Sequence, residues 1–153
     1  MAALAAMDAE TLLLSCVAAL PAGDAALAQL AALCEAAPSL SPVVAAALDL
    51  VDRECVACVS APSGRSIYVV TPPAPPRAAA AAAAPPPPRE RMLAPVRADF
   101  CPCKAFAETC LAALAAPAAS QCAHILSVHV ALAVGAVAQR VTSDEELVAL
   151  LCG

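Results

Sequence analysis

The stretch CPCKAF at residues 101–106, together with CAHIL at residues 122–126, decides the fold of this chain. The first contributes Cys101 and Cys103 in a C-x-C pattern, and the second contributes Cys122 and His124 in a C-x-H pattern. Three thiolates and one imidazole are a ligand set typical of a tetrahedral structural zinc. The pattern therefore predicts one Zn²⁺ ion at a closed site with no free position for catalysis.

The local conformation of these residues favours convergence on one ion. In an extended C-x-C segment the side chains of residues i and i+2 point to the same side of the backbone. The second pair lies at the start of a helix that the apolar sequence predicts from about Ala123 to Gln139. A helix N-terminus favours negative charge, so we expect it to help keep Cys122 ionised. Three thiolates around Zn²⁺ leave a net charge of −1, which Lys104 and Arg97 are expected to offset in part.

The other cysteines are predicted to be packing residues. The chain has 9 cysteines, an odd number, which argues against a disulfide framework and for reduced thiols. The pair Cys55-x-x-Cys58 resembles a redox motif, but it lies in a predicted strand that places its sulfurs on opposite faces. Four more cysteines fall within predicted helices without a partner at ligand spacing: Cys16, Cys34, Cys110 and Cys152.

The composition is that of one ordinary domain rich in helix formers. The hydrophobic fraction is 62%, but 44 of the 153 residues are alanine. The apolar run at residues 125–138 is shorter than the roughly 20 residues that a membrane span needs, so we expect a buried helix there. No basic secretion signal or arginine-rich transit peptide is apparent, which favours a cytosolic or nuclear location.

The order of the predicted elements gives an α+β fold. Short helices fill residues 1–53, and a β-hairpin at 54–71 precedes a low-complexity alanine and proline linker at 72–90. The predicted zinc module, of ββα type, spans 91–140, and a C-terminal helix spans 141–153. Within the zinc module, residues 92–100 are expected to form an edge strand interrupted by Pro95, and residues 104–115 a helix.

Several helix starts can be read from the sequence. Asp24 is predicted to open the second N-terminal helix, and Ser41 to cap the third, with Pro42 at its first position. At the C-terminus, Ser143 and Glu146 have the spacing of a capping box, in which each side chain bonds the backbone N–H of the other.

The charge distribution and the absence of several catalytic motifs limit the classes of function that the sequence supports. The net charge is −5, whereas residues 65–104 carry six bases against two acids. With one Tyr, two Phe and no Trp, the chain lacks the aromatic platforms expected of a self-sufficient single-strand binder. It also lacks a phosphate loop, a nucleophile elbow and an H-E-x-x-H zinc motif, so we predict no enzymatic activity.

These residues resemble the SWIM zinc-finger family, whose motif is C-x-C followed by C-x-H. Further stretches are similar to family members that form the SWIM subunit of the Shu complex: ALDLVDR at 47–53, SAPSGRSIYVV at 60–70 and VTSDEELVALL at 141–151. The resemblance covers about residues 47–70 and 99–151. The alanine and proline tract departs from the family, which has a much shorter connection there.

The resemblance implies a nuclear recombination factor without enzymatic activity. Such proteins form a heterodimer with a RecA-like ATPase paralogue, and the complex loads or stabilises the recombinase filament on single-stranded DNA in homologous recombination repair and meiosis. Carried onto this chain, the zinc ligands are Cys101, Cys103, Cys122 and His124. We expect partner contacts from the apolar helix at 125–138 and from the last helix.

An alternative within the same family is the DNA-binding SWIM module of a transposase-derived transcriptional regulator. In that case the basic segment around Arg89, Arg91 and Arg97 would contact phosphates, and binding would depend steeply on salt. An adaptor role like that of SWIM-containing ubiquitin ligases is less well supported, because the accompanying RING cysteines are missing.

Overall fold

The computed structural model describes residues 13, 15–17, 19–71, 94–96, 100–113 and 122–152. Residues 13 and 15–17 are helical. The elements that follow are α1 (Asp24–Ala36), a 3₁₀ turn (Pro38–Leu40), α2 (Ser41–Asp52), β1 (Val56–Ser60), β2 (Ser66–Val70), β3 (Ala94–Val96), α3 (Lys104–Ala113), α4 (Ala123–Val134), β4 (Ala138–Val141) and α5 (Asp144–Cys152). The predicted α+β class is confirmed.

Three strands form an antiparallel unit at one side of the sheet. Strands β1 and β2 make the predicted hairpin, with Val56 opposite Val70 and Ser60 opposite Ser66. Strand β3 pairs with the outer edge of β2 and places Pro95 opposite Val69. Because proline has no N–H to donate, its position on an edge strand is the one that a sheet tolerates.

The fourth strand was missed by the sequence prediction. β4 lies parallel to β1, and the complete strand order is β3-β2-β1-β4. A parallel neighbour requires a long crossover connection, which here includes helix α4. The sheet is therefore mixed, whereas the sequence predicted a small antiparallel hairpin or sheet and gave no sign of the parallel strand.

The predicted helix from about Ala123 to Gln139 is wrong at its C-terminal end. The helix stops at Val134, and Gly135 adopts a left-handed conformation with φ of 72°. The N–H of Ala136 then reaches back to the carbonyl of Ala131 at 2.8 Å, which closes the last turn. This stop frees the following residues, Gln139 among them, to form β4.

Helices cover both faces of the sheet, and α4 lies at the centre of the larger core. Helix α4 packs most extensively against α2, and it also contacts α1 and the sheet. Its burial confirms the prediction of a buried helix. The main core includes Leu30, Leu33, Val44, Ala47, Val51, Val56, Val70, Phe106, Ile125, Leu126 and Val130. On the opposite face, α5 contributes Leu147 to a smaller cluster with Val59, Ala61 and Val69.

Two of the three predicted helix starts, those of α1 and α5, are confirmed, and that of α2 is wrong in its capping residue. Asp24 is the first residue of α1, as predicted. Ser41 is not a cap: it is already the first residue of α2, Pro42 is the second, and the capping position falls on Leu40, which makes no side-chain hydrogen bond. The preceding 3₁₀ turn continues almost directly into α2, so Leu40 already has helical backbone angles.

The capping box at the start of α5 is confirmed. The backbone N–H of Glu146 donates to the Ser143 hydroxyl at 3.1 Å, and the N–H of Ser143 donates to the Glu146 carboxylate at 3.3 Å. The Thr142 hydroxyl also donates to this carboxylate. These bonds, with the one from Thr142 the strongest, hold the pKa of Glu146 below its ordinary value.

Other predictions fall outside the described residues. They include the linker at 72–90, the basic residues Arg89, Arg91 and Arg97, and the end of α3 beyond residue 113. Among the described residues no single helix is long and apolar enough to cross a membrane; α1 and the segment Pro38–Asp52 reach that length only together, across a bend of 119°.

We expect deletion of residues 78–88 to leave the melting temperature and the zinc content nearly unchanged. The ends of this connection are already adjacent, because Val70 lies opposite Ala94 in the sheet. Closing a shorter loop between adjacent ends changes the free energy by only about 0.6 kcal/mol for each halving of loop length. Thermal denaturation and zinc analysis of the deletion variant test this. A large drop in melting temperature would mean that the deleted residues pack on the domain.

Candidate metal centre

The structure brings the four predicted ligands together. One donor atom from each of Cys101, Cys103, Cys122 and His124 lies within 4.8 Å of the others. In a tetrahedral site with Zn–S bonds of about 2.3 Å, neighbouring donors are about 3.8 Å apart. The donors therefore need only a small contraction to bind one ion. No other residues contribute to this cluster among those described.

Helix α3 begins directly after one of the predicted ligands. Cys103 immediately precedes α3, and its carbonyl accepts the first helical hydrogen bond, from Ala107 at 3.0 Å. Its sulfur accepts a second bond, from the N–H of Phe106 at 3.3 Å. Cys103 thus fills the role that serine or aspartate usually takes at a helix N-cap.

The second helix begins in the same way. Cys122 is the N-cap residue of α4, with extended backbone angles, and its carbonyl accepts from Leu126 at 3.1 Å. The backbone of Ile125 acts to lower the pKa of the Cys122 thiol, and the backbone of Cys103 acts in the same direction on Cys101.

Cys101 and Cys122 shift each other's pKa in opposite directions. The thiol of Cys101 hydrogen-bonds the sulfur of Cys122, and this bond lowers the pKa of Cys122 to about 4. The same bond and burial raise the pKa of Cys101. This contact favours the thiolate form at Cys122, which is the form that binds a metal. Because cysteines bind a metal as thiolates, ion binding at this site would release protons.

The imidazole also fits a metal. The Nδ1 atom of His124 is buried and has no hydrogen-bond partner among the described residues. A buried polar atom without a partner is costly, and an ion at the centre of the cluster would remove this cost. The four residues can therefore hold one zinc ion, and they leave no ligand position for a substrate.

Backbone dipoles at two helix N-termini favour negative charge at the site. Two helix N-termini, those of α3 and α4, point toward the sulfurs. The predicted contribution of Lys104 is not seen: its side chain is 88% exposed and pairs with Glu108 at 3.5 Å. Arg97 lies outside the described residues.

Two supporting side chains were not predicted. Phe106, which is buried in the core, makes an edge-to-face contact with Phe100 at 5.7 Å between ring centres, so aromatic rings flank the C-x-C segment. Ser127 is fully buried and donates its hydroxyl to the carbonyl of His124 at 2.8 Å. The sequence signals for both were present: an aromatic residue three positions after the C-x-C, and a serine one helical turn after the histidine.

Four of the six remaining cysteines have side chains that the structure describes. The thiol of Cys55 lies near the carbonyl of Arg53 at 3.6 Å, and burial raises its pKa. The thiol of Cys58 lies 3.9 Å from the hydroxyl of Ser60. Both are free thiols, as are Cys16 and Cys34. This arrangement agrees with packing roles and offers no support for a redox pair.

Comparison with known proteins adds one relative. The chain is 30% identical over 110 residues to zinc finger SWIM domain-containing protein 7 from Danio rerio. The match covers 72% of this chain and 66% of that protein, so it spans slightly less than two thirds of the relative's length. No family model and no solved structure matches the chain.

Proposed function

We propose that the chain belongs to the SWIM zinc-finger family and holds one structural Zn²⁺ through Cys101, Cys103, Cys122 and His124. The observation that carries this proposal is the convergence of these four donors, in the C-x-C and C-x-H order of the family motif. The similarity to a protein that is itself named for a SWIM zinc finger supports it.

In this proposal the ion acts on the fold and not on a substrate. Zn²⁺ would tie the start of α3 to the start of α4, and α4 is the helix around which the main core packs. Because metal binding of this kind contributes folding free energy, the ion would fix α4 in place against α2 and the sheet. The protein would then act by binding other proteins, without catalysis of its own.

We further propose that the chain is the SWIM subunit of a Shu-type complex in the nucleus. Its partner would be a RecA-like ATPase paralogue, and the pair would promote assembly or stability of the recombinase filament on single-stranded DNA during homologous recombination repair and meiosis. The resemblance of residues 47–70 and 99–151 to such subunits supports this role. The absence of a phosphate loop in the sequence agrees with it, since the nucleotide site would belong to the partner.

Co-expression with a candidate RecA-like paralogue tests the proposal. We expect a stable complex of the two chains that contains one zinc ion for each copy of this chain. The complex should be lost when Cys122 is replaced, and retained with the control Cys34→Ala, which removes a thiol far from the site in sequence.

The alternative, a DNA-binding regulator, predicts a different result. The isolated chain would then bind duplex DNA with an affinity that falls steeply as salt increases. Such binding without any complex with the paralogue would contradict the proposed recombination role and favour the regulator. The zinc proposal is tested separately by the metal content of the purified chain.

A further inference from the structure

The two edge strands of the sheet differ in how readily another strand can pair with them. At the β3 edge, Pro95 has no backbone N–H to donate to another strand. At the β4 edge the four-residue strand Ala-Gln-Arg-Val contains no proline, so every residue keeps its backbone donor, and Arg140 is its one charged residue. All four residues of β4 are exposed. Within the described part of the chain, β4 pairs with β1 alone.

The backbone groups at this edge can be assigned. The N–H of Thr142, directly after β4, donates to the carbonyl of Ser60 in β1 at 3.0 Å. Along a strand, successive residues direct their N–H and C=O groups to opposite edges. Ala138 and Arg140 therefore face β1, whereas Gln139 and Val141 face outward. The open edge thus presents two donors and two acceptors.

The β4 edge presents one exposed apolar side chain and one exposed charged side chain. Val141 is 86% exposed, an unusual state for a valine in a strand. Arg140 is also exposed, and no ion pair in the described residues involves it. A neighbouring strand that placed an acidic residue opposite Arg140 would gain a cross-strand ion pair, and an apolar residue opposite Val141 would cover exposed surface.

A second copy of this chain fits the edge poorly. Antiparallel pairing requires outward-facing residues to lie opposite each other, so Gln139 would face Val141 of the other copy. That register places the two Arg140 side chains directly opposite, which is unfavourable for like charges. Centring the pair on Gln139 moves Val141 opposite Val137, beyond the strand, and shortens the ladder. Centring it on Val141 moves Gln139 opposite Ser143, whose N–H already bonds Glu146. The charge of the edge therefore favours a different protein.

We propose that the outer edge of β4 binds an extended segment of a partner protein as a fifth strand of the sheet. The segment carries an acidic residue opposite Arg140 and, next to it, an apolar residue opposite Val141. Backbone bonds to Gln139 and Val141 supply the affinity, and the two side-chain pairs supply the specificity. This inference goes beyond the proposed function and holds whichever protein supplies the segment.

Selection of random nine-residue peptides displayed on phage, against the full-length zinc-loaded chain, tests this inference. We expect the enriched peptides to alternate apolar and acidic residues. Val141→Pro should weaken their binding at least tenfold, because it removes an outward donor but no bond to β1. Val141→Ala, the matched control, keeps that donor and should weaken binding much less.

A charge reversal provides the second arm and does not depend on how well a proline variant folds. With Arg140→Glu as the target, the enriched peptides should carry basic residues in place of acidic ones. Failure to enrich any peptide, enrichment that Val141→Pro leaves unchanged, or the same acidic preference with Arg140→Glu would each overturn the inference.

Discussion

Replacing Cys122 with alanine is expected to abolish zinc binding and to unfold most of the domain. Structural zinc contributes about 10–16 kcal/mol in zinc-finger peptides, which matches or exceeds the whole stability of a typical domain, about 5–15 kcal/mol. Cys122 is also the N-cap of α4 and the hydrogen-bond partner of Cys101, which is 1% exposed. Its loss would leave a buried thiol and a helix terminus unsatisfied. Metal analysis and circular dichroism measure the result.

Two matched variants separate the role of the ion from that of the thiol. Cys34→Ala removes a partly buried cysteine from α1 and should keep the zinc and most of the stability. His124→Cys converts the site to four thiolates, a set that also binds structural zinc, and should therefore keep the metal. Wild-type melting behaviour in zinc-free Cys122→Ala would contradict the proposed structural role.

The ligand cluster was predictable because the information for it is local. The C-x-C and C-x-H spacings fix which donors lie near each other, and the predicted helix start at Ala123 placed Cys122 where a helix N-terminus meets the site. What could not be predicted is that Cys103 caps α3 through its sulfur. That role depends on the exact turn where the helix begins, which sequence patterns do not specify.

Strand β4 shows where sequence reasoning failed and why. The run through residues 125–138 is apolar almost throughout, so its periodicity does not mark where the helix ends. Gly135 was the available signal, because glycine with positive φ commonly ends a helix. The parallel pairing of β4 with β1 depends on contacts between segments about 80 residues apart, which no local pattern reveals. The capping box, by contrast, involves neighbouring residues and was predicted correctly.

We expect Leu126→Ala to destabilise the isolated chain by about 3 kcal/mol, within the range for leucine truncation in well-packed cores. Leu126 is 0% exposed, and it lies in α4 where that helix joins the main core. Removing its side chain leaves a cavity that surrounding elements can fill only in part. Chemical denaturation measures the change. Leu132→Ala, on the same helix but 47% exposed, should change the stability by less than about 1 kcal/mol.

This pair of variants also decides how α4 takes part in binding. The sequence suggested that the apolar helix at 125–138 would contact a partner, but six residues of α4 are buried within the chain itself. If α4 acts as the core helix, Leu126→Ala lowers the stability of the free chain, and any loss of complex follows from that. If α4 instead contacted a partner directly, Leu132→Ala would weaken the complex without affecting the free chain. The burial of Leu126 favours the first result, in which the proposed partner would contact exposed surfaces such as the β4 edge.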